Sequence, residues 1–330
     1  MIKNAIKTST FSMAAMLFSS SIMAAPATPH WDHSSADQGP NGDEWASIED
    51  TTSSPMPPLN YPYSECGTGG HQSPVAINLT TSPITINPTT NSADLNPIAV
   101  TEKISSPLDF HYPPDVNLSI YNSGHAVQVN MPLTYTGHLS VGQDAYPLTQ
   151  FHFHVPSEHS KITSQGQQPY AGELHFVHQR ADGKILVLGV FLDDTGTETT
   201  EVTKALDTIL GNGSNLPSNV PTIPSGQKNA TNTPVGQLHP LALLPKGKTN
   251  VFTYAGSLTT PPCSEGVNWY VLAEPIQVSS EHLSALTTWY PNGNRFTQNL
   301  NSRVIRIHDN KDHDNDADSN RLFLPNATKR

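Results

Sequence analysis

Short runs rich in Val, Ile and Tyr recur along this chain between clusters of turn residues: AVQVNM, ELHFVHQR, KILVLGVFL, NWYVLAEPIQV and RVIRIH. Runs of this length and composition predict β-strands, and the 29 prolines and 21 glycines between them supply the turns. Two stretches switch to helical spacing, TTEVTKALDTIL and SSEHLSALTTWY, and Ser279 or Ser280 is placed to cap the second. The chain therefore reads as mainly β, and no internal repeat is visible.

One strand carries an unusual polar face. In QFHFHV, alternation puts Gln150, His152 and His154 on one side and Phe151, Phe153 and Val155 on the core side. A single strand histidine is ordinarily a satisfied structural residue. Two at i and i+2 on one face can both reach one metal ion. A second strand, GELHFVHQR, repeats the pattern: Glu173, His175 and Val177 share a face, and Leu174, Phe176 and His178 the other. If the two strands are neighbours, His175 supplies a third nitrogen. Three neutral imidazoles with a fourth position open is the donor set of a catalytic zinc site. Gln150 and Glu173 each precede a candidate ligand by two residues, where they can accept its other ring N–H. His159 and His178 fit this face less well and are read as structural.

Length, 330 residues, allows one large domain or two smaller ones, and the 35% hydrophobic content suffices for a single core. Lys3 and Lys7 followed by the apolar run Phe11–Ala24 and then AAPATP has the layout of a cleavable secretory signal, about residues 1–25. No later run reaches the ~20 apolar residues of a membrane span, so membrane insertion is not expected, and export to a periplasm or medium is. The formal charge is -11, and a surface this acidic disfavours nucleic acid and anionic lipid as partners. Of the two cysteines, Cys66 and Cys263, an oxidising compartment predicts one disulfide; two separate thiols are the alternative. Stretches near 46–64 and 211–236, rich in Pro, Ser, Thr and Asn, read as surface insertions, and 309–330 as a polar acidic tail. Asn-x-Ser/Thr sites stand at Asn78, Asn117, Asn212, Asn229 and Asn326, and matter only in a glycosylating host.

A third segment, YAGSLTTPPCSEGVNW, completes a set. QFHFH, SEH, ELHFVH and SLTTPP, in this order, resemble the α-class carbonic anhydrases, with GHQSPVAI, NSGHAVQV, VLGVFL and NRFTQNLNSR as further matches. The resemblance runs from about Trp31 to Arg306 and looks most like the exported bacterial and algal members. It implies one mainly β (α+β) domain, residues 26–308, around a large twisted, mostly antiparallel sheet with short peripheral helices. It also implies zinc-dependent reversible hydration of CO₂ to bicarbonate and a proton, inhibition by sulfonamides or anions, and ester hydrolysis as a side activity. Oligomerisation is left open.

Residue by residue, the resemblance makes His152, His154 and His175 the Zn²⁺ ligands, with Gln150, Glu173 and Tyr254 supporting them. Carbonic anhydrases are the usual example of a zinc-bound water with a pKa of about 7, a value carried over here with the resemblance. Thr259 and Glu158 would orient that hydroxide, and His125 would shuttle the proton released each cycle. Val177, Val187, Leu258, Thr260 and Trp269 would line the CO₂ pocket, and a Cys66–Cys263 disulfide would tether the loop bearing Thr259. Two positions depart from the pattern: His33 stands where the family often has Tyr, and Phe296 where its RPxQ motif has Pro. Two other readings compete. His152, His154 and Glu158 satisfy the cupin HxHxxxE spacing, with iron or manganese as the metal, although Tyr146 stands where that motif has Gly. A catalytically silent binding module on the same fold is the second.

Overall fold

In a computed structural model the described residues are 29–34, 43–51, 60–79, 103–104, 106, 108–114, 116–211, 220, 233–248, 250–288, 290 and 292–309. The expected signal, all of the expected tail beyond Asp309, residues 52–59 of the first expected insertion, most of the second, and three of the five Asn-x-Ser/Thr asparagines lie outside them.

Fifteen strands are described. A three-stranded sheet joins β1 (Ala76–Ile77), β8 (Ser160–Thr163) and β9 (Gly166–Pro169). The remaining strands form a 12-stranded sheet. Its centre runs through β5 (Val127–Asn130), β7 (Asp144–His154), β10 (Gly172–Gln179), β11 (Ile185–Asp193), β14 (Glu265–Gln277) and β13 (Asn250–Ser257). β4 (Val116–Asn122) and β12 (Thr233–Leu238) extend one side, and β15 (Arg306–Asp309) and β2 (Lys103–Ile104) the other. β3 (Leu108–His111) pairs with β6 (His138–Val141), which pairs with β7. Only β11–β14 and β15–β2 are parallel within this sheet, so it is mostly antiparallel, as expected.

The alternation of β7 and β10 decides what each face does. Phe151, Phe153, Leu174 and Phe176 are buried in the larger apolar cluster, together with the helix Thr200–Leu210. Burying each such side chain is worth ~1.5–3 kcal/mol. That helix turns Val202, Ala205, Leu206, Ile209 and Leu210 inward, and Thr199 Oγ1 caps it by accepting the Val202 N–H. Ser279 caps the helix Ser280–Thr287 by accepting the His282 N–H. His282 then lies between Glu198 and Asp207, 2.8 and 3.3 Å from their oxygens, and links the two helices. A smaller cluster, including Val187, Phe191, Tyr254 and Trp269, packs on the opposite face of the sheet, beside the histidines.

The ends of the expected insertions are integral to the fold. Trp45 and Tyr63, flanking or within the first, are buried together with both cysteines, because large aromatic rings can cover the disulfide where the local composition is otherwise polar. Thr233–Gly236, at the end of the second, belong to edge strand β12. No helix among the described residues is long and apolar enough to cross a membrane.

Candidate metal centre

Antiparallel pairing of β7 with β10 sets His152 directly opposite His175, His154 opposite Glu173, and Gln150 opposite Val177. The three imidazoles thus meet on one face, with ring centroids 4.9 Å (His152–His154), 4.6 Å (His154–His175) and 5.3 Å (His152–His175) apart. One nitrogen from each lies within 4.8 Å of the others.

The opposite ring nitrogens are held from outside. His152 Nδ1 donates to Gln150 Oε1 at 2.9 Å, and His154 Nδ1 to the Gly293 carbonyl at 2.7 Å. His175 Nε2 lies 3.0 Å from Glu173 Oε1. Two rings therefore turn Nε2 inward and the third turns Nδ1 inward. His154 Nε2 is buried with no hydrogen-bond partner, an orphan polar atom that a cation would satisfy. Burial, reinforced by the neighbouring imidazoles, holds His152 well below the ordinary histidine range. Burial likewise lowers His154, outweighing the nearby Glu158 carboxylate. Neutral rings are the ligating form.

Glu173 organises the surroundings. Its Oε2 accepts the backbone N–H groups of Glu158 (3.0 Å) and His159 (2.8 Å), and its Oε1 accepts His159 Nδ1–H at 2.7 Å. Burial pushes this carboxyl up, but His159 and His175 more than offset it and hold it well below the carboxylate range. His159 Nε2 in turn lies 2.7 Å from the Tyr254 hydroxyl, which donates to Ser73 Oγ at 3.0 Å. His159, Glu173 and His175 also bring potential ligand atoms within 4.8 Å. Both nitrogens of His159 are already engaged there, so the three-histidine group is the one with donors to spare.

Glu158 is fully buried beside the histidines. Its Oε1 accepts the Arg295 backbone N–H at 2.8 Å, and its Oε2 is buried without a hydrogen-bond partner among the described residues. The Arg295 guanidinium, which burial pushes down to about 10, donates to Gln72 Oε1 and to the carbonyls of Ser73 and Cys66. Sequence reasoning assigned no role to Arg295 or to the Gly293 carbonyl. Nothing in the local pattern marks a backbone group 139 residues from the ring it orients.

Thr259 is buried in the bend after β13. The Thr260 carbonyl accepts the Cys263 N–H at 2.9 Å. Cys263 is bonded to Cys66 across 197 residues of sequence, so this bend is fastened to the segment Arg295 also holds. Val187 and Trp269 pack together, with Val177 and Leu258 against them, as an apolar wall. The Trp269 ring lies 4.8 Å from that of His175, and its Nε1–H donates to the Ser257 carbonyl. His125 stacks on Trp31 at 3.7 Å and shares a cavity of about 740 Å³ with Glu158 and His33; the three histidines and the apolar wall lie outside that cavity's lining. His33 is pushed down to about 3 by burial, with His154 and His125 adding to the shift, and its ring centre is 6.4 Å from that of His154. Phe296 is partly exposed. His178 sits on the core face, 2.7 Å from the Tyr112 hydroxyl.

A family model described as eukaryotic-type carbonic anhydrase matches residues 58–309. A carbonic anhydrase of Klebsiella pneumoniae is 34% identical over 248 residues, 75% of this chain and 84% of the relative. Among solved structures, the α-carbonic anhydrase of Thermovibrio ammonificans, in complex with the inhibitor sulfanilamide, aligns with TM-score 0.61 and 30% identity over 85% of this chain and all of its own. That of Photobacterium profundum aligns with TM-score 0.57 and 31% identity over 74% and 92%. A match that runs through both histidine strands and the Thr259 bend leaves no place for the cupin reading, and the chain belongs to the α-class carbonic anhydrases.

Proposed function

We propose that this carbonic anhydrase works through one Zn²⁺ held by His152, His154 and His175, within a domain of residues 26–308. The observation that carries the reading is the convergence of three imidazoles, His154 with its Nε2 buried and unpartnered. The donor set, three imidazole nitrogens with the outward positions faced by Gln150, Glu173 and Gly293, fits zinc. When bound, zinc supplies a water acidified enough to act as a nucleophile near neutral pH.

The chain's own groups do the rest. Arg295 N–H occupies Glu158 Oε1, so Oε2 is the acceptor left for the Thr259 hydroxyl proton. A Thr259 hydroxyl committed as donor to Glu158 can only accept from the nucleophile, which turns a nucleophile lone pair toward the substrate carbon. The Thr259 backbone N–H faces the substrate side. Val177, Val187, Leu258 and Trp269, with Thr260 at the rim, give CO₂ an apolar surface that favours it over charged bicarbonate. His125 takes the released proton outward. Tyr254, through His159, keeps Glu173 aligned. The disulfide agrees with export through an N-terminal signal, and a sulfonamide should inhibit this chain, as the complex of the Thermovibrio relative with the inhibitor sulfanilamide suggests.

The test is stopped-flow CO₂ hydration with zinc quantified, before and after chelation and zinc readdition. Activity should track one zinc per chain, and p-nitrophenyl acetate hydrolysis should follow it. His175→Ala should lose zinc and hydration together; retained hydration at matched zinc load would overturn the ligand set, and no activity with zinc fully bound would leave the silent-module reading. His125→Ala should lower kcat in dilute bulky buffer far more than kcat/KM, with small imidazole buffers restoring part of it. An unchanged kcat there would assign the shuttle elsewhere.

A further inference from the structure

A second pair of histidines stands on the arm of the sheet that β3 and β6 add beside β7. β3 pairs antiparallel with β6, and the register sets His111 directly opposite His138, the same cross-strand relation as His152 to His175. Leu108 and Leu139 are buried in the main cluster and Phe110 packs against it, so alternation turns His111 and His138 to the outside. Their ring centroids are 4.9 Å apart and the planes tilt by 38°. That separation equals the His152–His154 spacing within the zinc site.

One ring is already oriented for ligation. His138 Nδ1 lies 3.0 Å from the Thr136 carbonyl, and a carbonyl only accepts, so Nδ1 carries the proton and Nε2 keeps its lone pair. A backbone carbonyl behind the non-ligating nitrogen is the usual support of a metal-bound histidine. Asp109, exposed two residues before His111 on the same face, adds negative charge nearby.

We propose that His111 and His138 form a two-imidazole surface site for a divalent transition ion, taking Cu²⁺ or Ni²⁺ in preference to Co²⁺, Fe²⁺ or Mn²⁺. Water completes the coordination. Among the described residues β3 pairs with β6 alone, so a bound ion clips this strand to its neighbour, and it stabilises the folded chain by mass action. The site is separate from the catalytic zinc and uses none of its residues.

The experiment titrates Ni²⁺ calorimetrically into zinc-loaded full-length protein, with zinc content measured before and after so that exchange at the three-histidine site is seen directly. Wild type should take one more Ni²⁺ per chain than either His111→Ala or His138→Ala, with zinc content and CO₂ hydration the same in all three. Ni²⁺ should raise the melting temperature of wild type more than that of either variant. Equal Ni²⁺ uptake by wild type and both variants would place the binding on other histidines and overturn the proposal, as would a loss in only one of the two variants. Near-ultraviolet circular dichroism and hydration activity report folding of the variants, and His111→Asn and His138→Asn give the same comparison if an alanine variant misfolds.

Discussion

His178 and His175 are three residues apart on one strand and are opposite in kind. His175 faces the metal centre, whereas His178 faces the core, where Tyr112 and the Leu186 carbonyl contact its two nitrogens. Burial pushes His178 down to about 3 from an ordinary value of 6.5. An unfolded chain takes a proton there below about pH 6.5, and the folded chain does not until about pH 3. Stability contributed by the neutral ring is therefore full above the unfolded value and falls as pH drops through this window, by about 1.4 kcal/mol per unit. His178→Gln keeps a hydrogen-bonding side chain and removes the proton. Urea midpoints at pH 7, 6 and 5 should decline less steeply for the variant than for wild type, at matched zinc; parallel declines would mean that His178 is not among the groups that titrate on unfolding.

At the scale of elements, the site depends on three adjacent strands, not two. β11 places Gly189 opposite His175, and a Cβ there would stand 2.7 Å from Glu173 Oε1. The glycine is the space into which the Glu173 carboxylate folds to reach His159, His175 and two backbone N–H groups. Gly189→Ala should push that carboxylate away, destabilise the fold by ~1–3 kcal/mol and weaken zinc binding by ~10–100-fold. Both readings come from one sample, by urea unfolding and by competition with a zinc chelator. A variant with wild-type zinc affinity would mean that Glu173 relaxes without releasing His175.

Over the whole molecule, the Cys66–Cys263 bond closes a span of 197 residues and joins the N-terminal segment to the Thr259 bend. Closing so long a loop restricts the unfolded chain, and its loss typically costs ~2–5 kcal/mol. Cys66→Ser with Cys263→Ser should unfold earlier by that amount. It should also lower kcat through the loosened Thr259 bend while zinc stays bound; unaltered kcat in the folded variant would limit the bond to stability. The strand faces, the Ser279 cap and the three histidines were legible in the chain because alternation and capping are local, governed by neighbours two to four residues away. The cysteine pair and the SLTTPP bend were legible through family resemblance. Gly293 behind His154, Arg295 behind Glu158 and Gly189 beside Glu173 were not, since each acts through a contact made only when distant strands pack. So the sequence alone determined which side chains share a face and that imidazoles are gathered on it. Only the tertiary structure decided which strand lies beside which, what holds each ring's outer nitrogen, and that His111 meets His138, because register across a sheet is settled by the whole core and not by any one strand.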